Sequence, residues 1–409
     1  MNASDLFDVL IVGGGMAGAS LACALGGRGL KIAVVEAVPL ADATQPSYDD
    51  RGLALSTASQ RILEGIGVWQ VVRVNATPIE HIHVSERGGF GFTRIAAADF
   101  GVPALAHVVV GRELGEALTQ RLREIPDCEI HCPANVVGLA LGADKVEVIL
   151  RADGGGERRL SARLLVGADG VTSRVRQTLG IAVREHDYHQ TAIVANVTPS
   201  RPHQNTAYER FTPHGPAAML PHRGDRCGVV WVNETNEAAT AMALSDAEFL
   251  TQLQAQFSRR LGDLKTLGRR RAYPLKLVVA ERIAGPRYAL IGNAAHGIHP
   301  NGAQGFNLGL RDVAALAECV LAAQVEGIDP GREAVMQRYA DMRRHDQRRT
   351  ILATDGLARL FYNDILPLML LRNLGMVAVD TMPPLKRMLA RGGSGLLGGQ
   401  SRLVRGIPL

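Results

Sequence analysis

Apolar and polar residues alternate in blocks over the first 36 residues, and their order predicts a strand, a helix and a second strand. Residues 7–12, FDVLIV, are nearly all apolar, which is typical of a strand that is buried on both faces. Residues 16–26 form an alanine-rich, helix-like stretch, and residues 31–36, KIAVVE, form a second apolar run that ends in an acid. Because these segments follow one another within about 30 residues, they predict a βαβ unit.

The pattern changes to short runs with a period of two between residues 187 and 277. Residues 191–197, TAIVANV, and residues 227–233, CGVVWVN, are examples of these β-rich runs. One helical segment interrupts them, and its start is indicated by a capping box of Ser245 and Glu248. Short alternating runs of this kind predict a second, mostly antiparallel sheet.

Two later apolar runs, within residues 164–176 and 288–312, each lead into a glycine-containing loop and then into a helix-like segment. Both runs are apolar like the first strand, and we expect them to form further strands of the first sheet. The sequence therefore predicts an α/β fold, in which a Rossmann-like domain carries an inserted sheet and is followed by a helical C-terminal region. The predicted boundaries are 1–185 for the first part of the Rossmann-like domain, 186–278 for the inserted sheet domain, 279–350 for the second part and 351–409 for the C-terminal region.

The glycines between the first strand and the first helix indicate a nucleotide site. Gly13 permits the sharp turn, Gly15 allows the backbone to approach a diphosphate at the helix N-terminus, and Gly18 allows close packing of helix and strand. Glu36 ends the second strand, where a carboxylate accepts hydrogen bonds from both ribose hydroxyls. Since Glu36 disfavours a 2′-phosphate, FAD or NAD is favoured over NADP at this site.

The third glycine loop favours FAD over NAD. A helix begins near Gln304, directly after this loop, and its positive end faces whatever the loop binds. Reduced flavin is anionic at N1 and makes use of such a site, whereas a simple NAD dehydrogenase has no need of a third nucleotide-facing loop.

These three segments resemble the class A flavoprotein aromatic hydroxylases, which have the para-hydroxybenzoate hydroxylase-like fold. The resemblance covers residues 7–312, and one departure from the family pattern is Asn293, which stands where the family has an aspartate. In this family the inserted sheet is the substrate domain. The resemblance implies FAD contacts from Gly13, Gly15, Met16, Ala17, Gly18, Glu36, Arg51, Arg112, Asp169, Gly170, Gly292, Asn293, Pro300, Gly302, Gln304, Gly305 and Asn307.

The same resemblance implies the chemistry. The family hydroxylates aromatic rings with O₂ through a flavin C4a-hydroperoxide, and NAD(P)H binds transiently as the reductant, with NADPH favoured. A base near the cavity would make a phenol more nucleophilic. The candidates are His296, His299, His214 and Tyr208, each of which is also compatible with a purely structural role, so no catalytic base is assigned. No metal site is expected.

Several strings resemble the ubiquinone-biosynthesis branch of the family, and within it the 2-octaprenyl-6-methoxyphenol hydroxylases. They are GVWQ at 67–70, HIHVSERG at 81–88, YERFTPHGPAAMLP at 208–221 and GNAAH at 292–296. This resemblance implies hydroxylation of a 2-polyprenyl-6-methoxyphenol to the 1,4-benzoquinol. Two alternatives stay open: a sister hydroxylase of the pathway that acts at another ring position, and a non-catalytic flavin-binding subunit of a biosynthetic complex.

The charge distribution indicates where the protein acts. Residues 356–409 hold seven basic and two acidic residues, which equals the whole net charge of +5, so the other residues sum to zero. A neutral body with a basic tail excludes a nucleic-acid partner. Residues 365–393 mix apolar runs with basic residues, which is typical either of an interfacial membrane segment or of a helical pair packed on a protein. Five sparse cysteines and the absence of a signal-peptide pattern favour the cytoplasm, with the protein peripheral to the inner face of the cell membrane.

Overall fold

The computed structural model describes residues 6–40, 50–152, 155–257, 259–363, 365–397 and 401–409. The strands are, in chain order, β1 Leu6–Val12, β2 Ile32–Val35, β3 Gly52–Ser56, β4 Thr77–Ile79, β5 His81–Glu86, β6 Phe92–Ala96, β7 Ala106–Val110, β8 Cys128–His131, β9 Ala134–Leu141, β10 Val146–Ala152, β11 Glu157–Gly167, β12 Val183–Pro199, β13 Thr206–Thr212, β14 Gly215–Pro221, β15 Cys227–Glu234, β16 Leu264–Leu267, β17 Arg271–Ala280, β18 Ala284–Gly285, β19 Tyr288–Leu290 and β20 His296–Gly297. The helices are α1 Met16–Leu25, α2 Thr57–Gly65, α3 Trp69–Val72, α4 Gly111–Arg123, α5 Arg174–Thr178, α6 Thr235–Ala243, α7 Asp246–Phe257, α8 Gln304–Val325, α9 Glu333–Phe361, α10 Leu366–Thr381 and α11 Pro383–Gly393.

The first sheet has the order β18-β19-β11-β1-β2-β8, and β9 and β10 extend it beyond β11. Strands β19, β11, β1, β2 and β8 are parallel to their neighbours. In β1, Val9 and Ile11 pack into the core beneath α1 and α8, while Leu10 and Val12 pack on the opposite face. A strand buried on both faces has no polar side, which explains the unbroken apolar run. The predicted βαβ unit and the α/β fold are confirmed.

The second sheet has the order β20-β17-β12-β15-β14-β13-β5-β6, with β16 beside β12. All its pairs are antiparallel except β13 with β5. One face is covered by α6 and α7, where Trp231 packs edge-on to Phe249. The sheet reaches beyond the predicted 186–278 segment, because β5, β6 and β20 come from residues 81–96 and 296–297. These strands add backbone pairs that join the sheet to the rest of the chain on both sides of the insertion.

Among the C-terminal helices, α10 packs beside β5 and β6. Helix α9 packs along α8, and α10 packs against β6. Glu86 of β5 is buried and is bound by Arg372 and Asn373 of α10. In the part of the chain that the structure describes, no helix combines the length and apolar character needed to cross a bilayer.

Gly356, which lies five residues before the end of the 29-residue helix α9, provides a first prediction. It is exposed, and a Cβ there would meet nothing within 4 Å. Since glycine in a helix costs more conformational entropy than alanine, Gly356→Ala should raise the free energy of unfolding by about 0.5–1 kcal/mol. Urea denaturation followed by far-UV circular dichroism would measure the change. A loss of stability would show that α9 is not a regular helix at this position.

Candidate active site

The first glycine turn lies between β1 and α1, with Glu36 beside it. Gly13 has a φ of +103°, which favours glycine. The Glu36 carboxylate accepts hydrogen bonds from the N–H groups of Gly14 at 2.7 Å and Val38 at 2.9 Å. A Cβ on Gly18 would lie 1.9 Å from the carbonyl oxygen of Gly13, so α1 approaches the turn as closely as glycine allows. The turn and the acid therefore lie together, as the sequence predicted.

Helix α1 presents its N-terminus at this turn. The helix begins at Met16 and Ala17 follows, while Gly15 precedes them with extended backbone. Among the described residues, no side chain caps the helix through a hydrogen bond, and its first turn holds no acid. The unpaired N–H groups and the positive end of the helix dipole suit an anion such as a diphosphate.

The second loop, which follows β11, packs directly on the first. A Cβ on Gly13 would lie 2.5 Å from the carbonyl oxygen of Ala168. The Asp169 carboxylate accepts hydrogen bonds from the Ser173 hydroxyl at 2.5 Å and from a backbone N–H of α5 at 3.1 Å. Gly170 follows with a φ of +83°. Asp169 therefore holds the start of α5 and shapes this loop.

The third loop, which follows β19, meets the first at the N-terminus of α1. Gly292 has a φ of +56°, and a Cβ on it would lie 3.2 Å from the Cβ of Ala17. Asn293 is exposed between two buried residues, Gly292 and Ala294. Three loops that are more than 100 residues apart in sequence therefore converge on one surface.

A buried ionic network lies beneath the third loop. Asp312 of α8 accepts hydrogen bonds from the Gly292 N–H at 3.1 Å, from Nε of Arg343 at 2.7 Å and from Gln347 at 2.9 Å. His296 Nε2 lies 2.6 Å from the same carboxylate. Burial by itself would raise the pKa of Asp312, but the charges and hydrogen bonds of His296 and Arg343 hold it well below its ordinary value. His296 is thus a buried partner of Asp312, and this structural role accounts for it better than the role of a base.

Arg176 of α5 connects the second and third loops, and the sequence analysis did not identify it. Its guanidinium is buried and donates hydrogen bonds to the carbonyl oxygens of Ala294 at 2.8 Å and Val171 at 2.7 Å. Burial lowers its pKa. The string SRVRQ at residues 173–177 contains two arginines, Arg174 and Arg176. The sequence alone does not indicate which of them is buried.

The segment from Pro300 to Asn307 leads into α8. Gly302 has a φ of +63°, and Ala303 is left-handed as well, with a φ of +52°, immediately before the helix. Gln304 and Gly305 form the first turn of α8 and are half-buried. This turn has no side-chain cap among the described residues.

Asn307 is tied to the protein. Its Oδ1 accepts hydrogen bonds from the Ser56 N–H at 2.9 Å and from the Ser59 hydroxyl at 2.6 Å. Its Nδ2 donates to the carbonyl oxygens of Ala54 and Ala303, each at 2.8 Å. The Asn307 side chain therefore joins β3 and α2 to the start of α8 and fixes the loop, while its amide has no capacity left for another ligand.

Arg51 and Arg112 lie next to each other at the start of α4. The Gly111 N–H donates to the Arg51 carbonyl oxygen at 2.9 Å, and the Arg51 guanidinium lies 4.6 Å from the ring centroid of Tyr273. Arg112 is exposed and pairs with Asp50 at 3.3 Å and with Glu116 at 3.1 Å, and these hydrogen bonds raise its pKa. Arg51 thereby links the first domain to β17 of the second sheet.

The two other histidine candidates lie in different environments. His299 is buried, with Nε2 lying 3.3 Å from the Gln190 amide oxygen, and its ring packs edge-on against Tyr188. Burial lowers the pKa of His299 to about 4, which makes it a weak base. His214 is about half exposed and lies 3.2 Å from Glu237, in the turn between β13 and β14. Both residues contact Gln190, whose Nε2 donates to the His214 carbonyl oxygen at 3.1 Å while its Oε1 faces His299.

Tyr208 lies on the face of β13 that is turned away from the third glycine loop. Its ring packs against the cluster under α7 and contacts His83. Successive residues of a strand face opposite sides, so the next residue, Glu209, lies on the other face, which the sequence analysis did not consider. The alternation in the YERF string indicates that Tyr208 and Glu209 lie on opposite faces of the strand. It does not indicate which face is turned towards the inside of the protein.

The described residues fit FAD. Glycines occupy the positions where a Cβ would collide with the turn or with a neighbouring loop, the N-terminus of α1 is open to an anion, and the Glu36 carboxylate lies at the turn where a ribose would bind. Asn293 is exposed beside the same helix and offers both a donor and an acceptor.

Comparison with known proteins agrees with this geometry. The chain belongs to the FAD binding domain family, whose pattern matches residues 7–353. FAD is therefore its cofactor, and the predicted membership of the FAD-dependent aromatic hydroxylases is confirmed. The chain is a flavoprotein monooxygenase.

Its relatives are similar over nearly their whole length. Ubiquinone hydroxylase UbiL of Rhodospirillum rubrum is 41% identical over 100% of this chain and 95% of its own. The 3-demethoxyubiquinol 3-hydroxylase of Escherichia coli is 32% identical over 95% of this chain and 98% of its own. The crystal structure of p-nitrophenol 4-monooxygenase from Pseudomonas putida covers 97% of this chain and 100% of its own, with 19% identity and a TM-score of 0.80, and thus shares the fold.

Proposed function

We propose that this protein hydroxylates the aromatic ring of a polyprenylated phenol in ubiquinone biosynthesis, using NAD(P)H, with NADPH favoured, and O₂. The observation that carries this proposal is the similarity to ubiquinone hydroxylase UbiL along the whole chain. The three loops that fit FAD support it, and so does the packing of Ile298 of the third loop against the second sheet.

When bound and reduced, FAD supplies the activation of O₂ for transfer of one oxygen atom to an electron-rich ring. The protein binds and orients the reactants. The first glycine turn and the N-terminus of α1 would hold the diphosphate, and Glu36 the ribose. Asp312 holds the third loop through the Gly292 N–H, and Arg176 joins that loop to the second. The second sheet covers the site and excludes water, which prevents loss of the oxidant as peroxide.

The preferred substrate is a 2-polyprenyl-6-methoxyphenol, hydroxylated to the 1,4-benzoquinol, because local strings such as YERFTPHGPAAMLP resemble that group. A second candidate is hydroxylation at another ring position. It is favoured by the similarity to a relative whose name specifies the 3-position of demethoxyubiquinol.

Product analysis separates these candidates. The FAD-loaded protein would be incubated with NADPH, O₂ and each of two short-chain substrates, a 2-prenyl-6-methoxyphenol and a demethoxyubiquinol, and products identified by mass spectrometry. A quinol from the methoxyphenol supports the preferred substrate, and turnover of demethoxyubiquinol alone moves the protein to the second candidate. The absence of both NADPH oxidation and a hydroxylated product with either substrate would contradict the proposal and favour a non-catalytic flavin-binding subunit.

We further propose that α10 and α11 contact an anionic membrane surface from which the substrate is taken. Helix α10 buries polar residues and exposes apolar ones, which reverses the usual pattern of a helix on a protein surface. It buries Arg372 and Asn373 while Leu366 and Leu371 are 60% and 62% exposed. In α11 no residue is buried. Its Arg387 is exposed beside apolar side chains, which suits anionic headgroups around an apolar layer.

A vesicle experiment tests this surface. The wild-type protein should sediment with vesicles of phosphatidylcholine and phosphatidylglycerol, and Leu371→Glu with Leu374→Glu should reduce the bound fraction roughly tenfold, since two apolar contacts are lost and charge repulsion is added. Val325→Glu, at an 89% exposed apolar residue at the end of α8, is the matched control and should bind as the wild type does. A wild-type protein that stays in the supernatant would contradict the proposal and favour a protein partner on this surface.

A further inference from the structure

Glu209 lies on the inner face of the second sheet. It stands between Ala207 and Phe211 in β13, and the strand places these three side chains on one face. Ala207 packs against Ile79 of the small sheet formed by β3, β7 and β4. The Phe211 ring stacks on Phe361 at the end of α9, with ring centroids 3.8 Å apart. The Glu209 side chain therefore projects between the small sheet and α9.

The strand register places Glu209 on the face that the third loop approaches. Glu209 pairs with Ala218, and Ala218 pairs with Val230, so these residues form one row across β13, β14 and β15. Val230 packs against the same apolar cluster as Ile298, which precedes Pro300 in the third loop. With strands about 4.8 Å apart, Glu209 lies roughly 10 Å along the row from that contact. A substrate ring between the sheet and the third loop would lie within reach of this carboxylate.

The Glu209 carboxylate has no partner among the described residues. It forms no hydrogen bond or ion pair with any residue that the structure describes, although it is half-buried. The neighbouring strand offers a contrast, since Glu86 is bound by Arg372 and Asn373. Burial raises the pKa of Glu209 to about 7. An unpaired carboxylate at such a place destabilises the fold, and such groups concentrate at functional sites.

The charged groups on the surrounding elements are engaged elsewhere. Arg372 of α10 is bound to Glu86, and Asp355 of α9 accepts a hydrogen bond from Tyr188 at 2.9 Å and pairs with Arg359. His299, which also faces this region, is bound to Gln190 and has the lowered pKa described above. Each of these three side chains therefore already has a protein partner, which the Glu209 carboxylate lacks among the described residues.

We propose that Glu209 binds the phenolic hydroxyl of the substrate and takes its proton. The O–H bond of the phenol breaks, the proton moves to a carboxylate oxygen of Glu209, and the electron pair stays on the phenolic oxygen. The ring becomes more electron-rich and a better acceptor of the electrophilic oxygen atom, and solvent removes the proton from Glu209 after product release. This inference rests on the proposed function, because it requires a phenol at the site.

The test compares wild type, Glu209→Gln and Tyr208→Phe, all loaded with FAD, with a short-chain 2-prenyl-6-methoxyphenol. Glu209→Gln should keep its flavin and lose hydroxylation roughly 100-fold, as expected for loss of a general base. In the wild type the rate should rise with pH as Glu209 ionises through about 7, and this rise should be absent from Glu209→Gln. Tyr208→Phe, on the opposite face of the same strand, should keep both the rate and the pH dependence.

A stability measurement shows whether Glu209→Gln is folded and whether its carboxylate is the desolvated group. Since the pKa is raised on folding, from 4.5 to about 7, ionisation of Glu209 removes stability as pH rises through this interval. Glu209→Gln should therefore melt at a higher temperature than wild type above pH 7 and at the same temperature below pH 4. A variant that melts lower than wild type throughout would overturn the proposal, because Glu209 would then be a structural partner.

A binding measurement distinguishes failure of this inference from failure of the proposed function. The oxidised holoenzyme would be titrated with 4-nitrophenol, whose phenolate is coloured. Full ionisation of the bound phenol should need a higher pH in the wild type than in Glu209→Gln, because phenolate and ionised carboxylate would then lie side by side. If the wild type hydroxylates no phenol and still shows this difference, the proposed function fails and the inference stands. Equal ionisation in both proteins, or an unchanged pH dependence of hydroxylation in Glu209→Gln, overturns the inference.

Discussion

Asp312→Asn should lower the free energy of unfolding by roughly 3 kcal/mol and should cause loss of FAD. The substitution keeps the size of the side chain but removes the charge that faces Arg343 and His296, so a buried guanidinium loses one of its two carboxylate partners; Asp346, 2.8 Å from Arg343, remains. The Gly292 N–H loses its charged acceptor as well, which loosens the third loop. Urea denaturation and the flavin absorbance of the purified protein measure the two effects.

The loss of stability in Asp312→Asn should depend on pH. Because the pKa of Asp312 is lowered on folding, its stabilisation is present above the ordinary value of 3.8 and fades as pH falls below it. The difference between wild type and Asp312→Asn should therefore narrow in acid. The control is Asp341→Asn, at an exposed acid on α9 paired with Arg344, which should change stability by less than about 0.5 kcal/mol. A similar loss in both variants would show that the buried network is not what stabilises the loop.

Gly18→Ala should weaken FAD binding by roughly 100-fold, which corresponds to about 3 kcal/mol. The added methyl carbon would lie 1.9 Å from the Gly13 carbonyl oxygen, a distance that the backbone cannot tolerate, so α1 must move away from the turn. The helix N-terminus and the turn then no longer bind the diphosphate in one geometry. Titration of the apoprotein with FAD, followed by quenching of flavin fluorescence, gives the dissociation constant.

Gly356→Ala is the matched control for this substitution, because the same methyl group is added in open space on α9. It should bind FAD as the wild type does. Gly18→Ala that retained full FAD affinity would show that the nucleotide does not bind at the first glycine turn, and the assignment of the α1 N-terminus to the diphosphate would be wrong.

The sequence predicted the parts of the site that depend on local pattern. The run of residues 7–12, the glycines from Gly13 to Gly18 and the acid at Glu36 act within one βαβ unit, whose geometry is set by its own strand and helix periods. The α/β fold and the family were predicted correctly for the same reason. The roles of the individual FAD-contact residues stay predictions, and the structure gives Asn307 protein partners in place of an open amide.

Long-range contacts were not predictable in this way. Asp312 looked like an ordinary helix residue, yet it holds the third loop through Gly292 and an arginine 31 residues later. The strands at residues 81–96 belong to the second sheet because β5 pairs with β13, more than 100 residues away. When many strands share the same alternation of apolar and polar residues, the sequence of one strand does not indicate which other strand it pairs with.

The choice of Tyr208 over Glu209 has the same origin. The sequence by itself determined that neighbouring residues of β13 face opposite sides and that the C-terminal region is apolar and basic, and it predicted that three glycine loops serve one nucleotide. Only the tertiary structure decided which side of β13 is the inner one, because α7 covers one face and the small sheet and α9 cover the other. Alternation of side chains is a local property of the strand, whereas the inside of a protein is defined by the elements that pack around it.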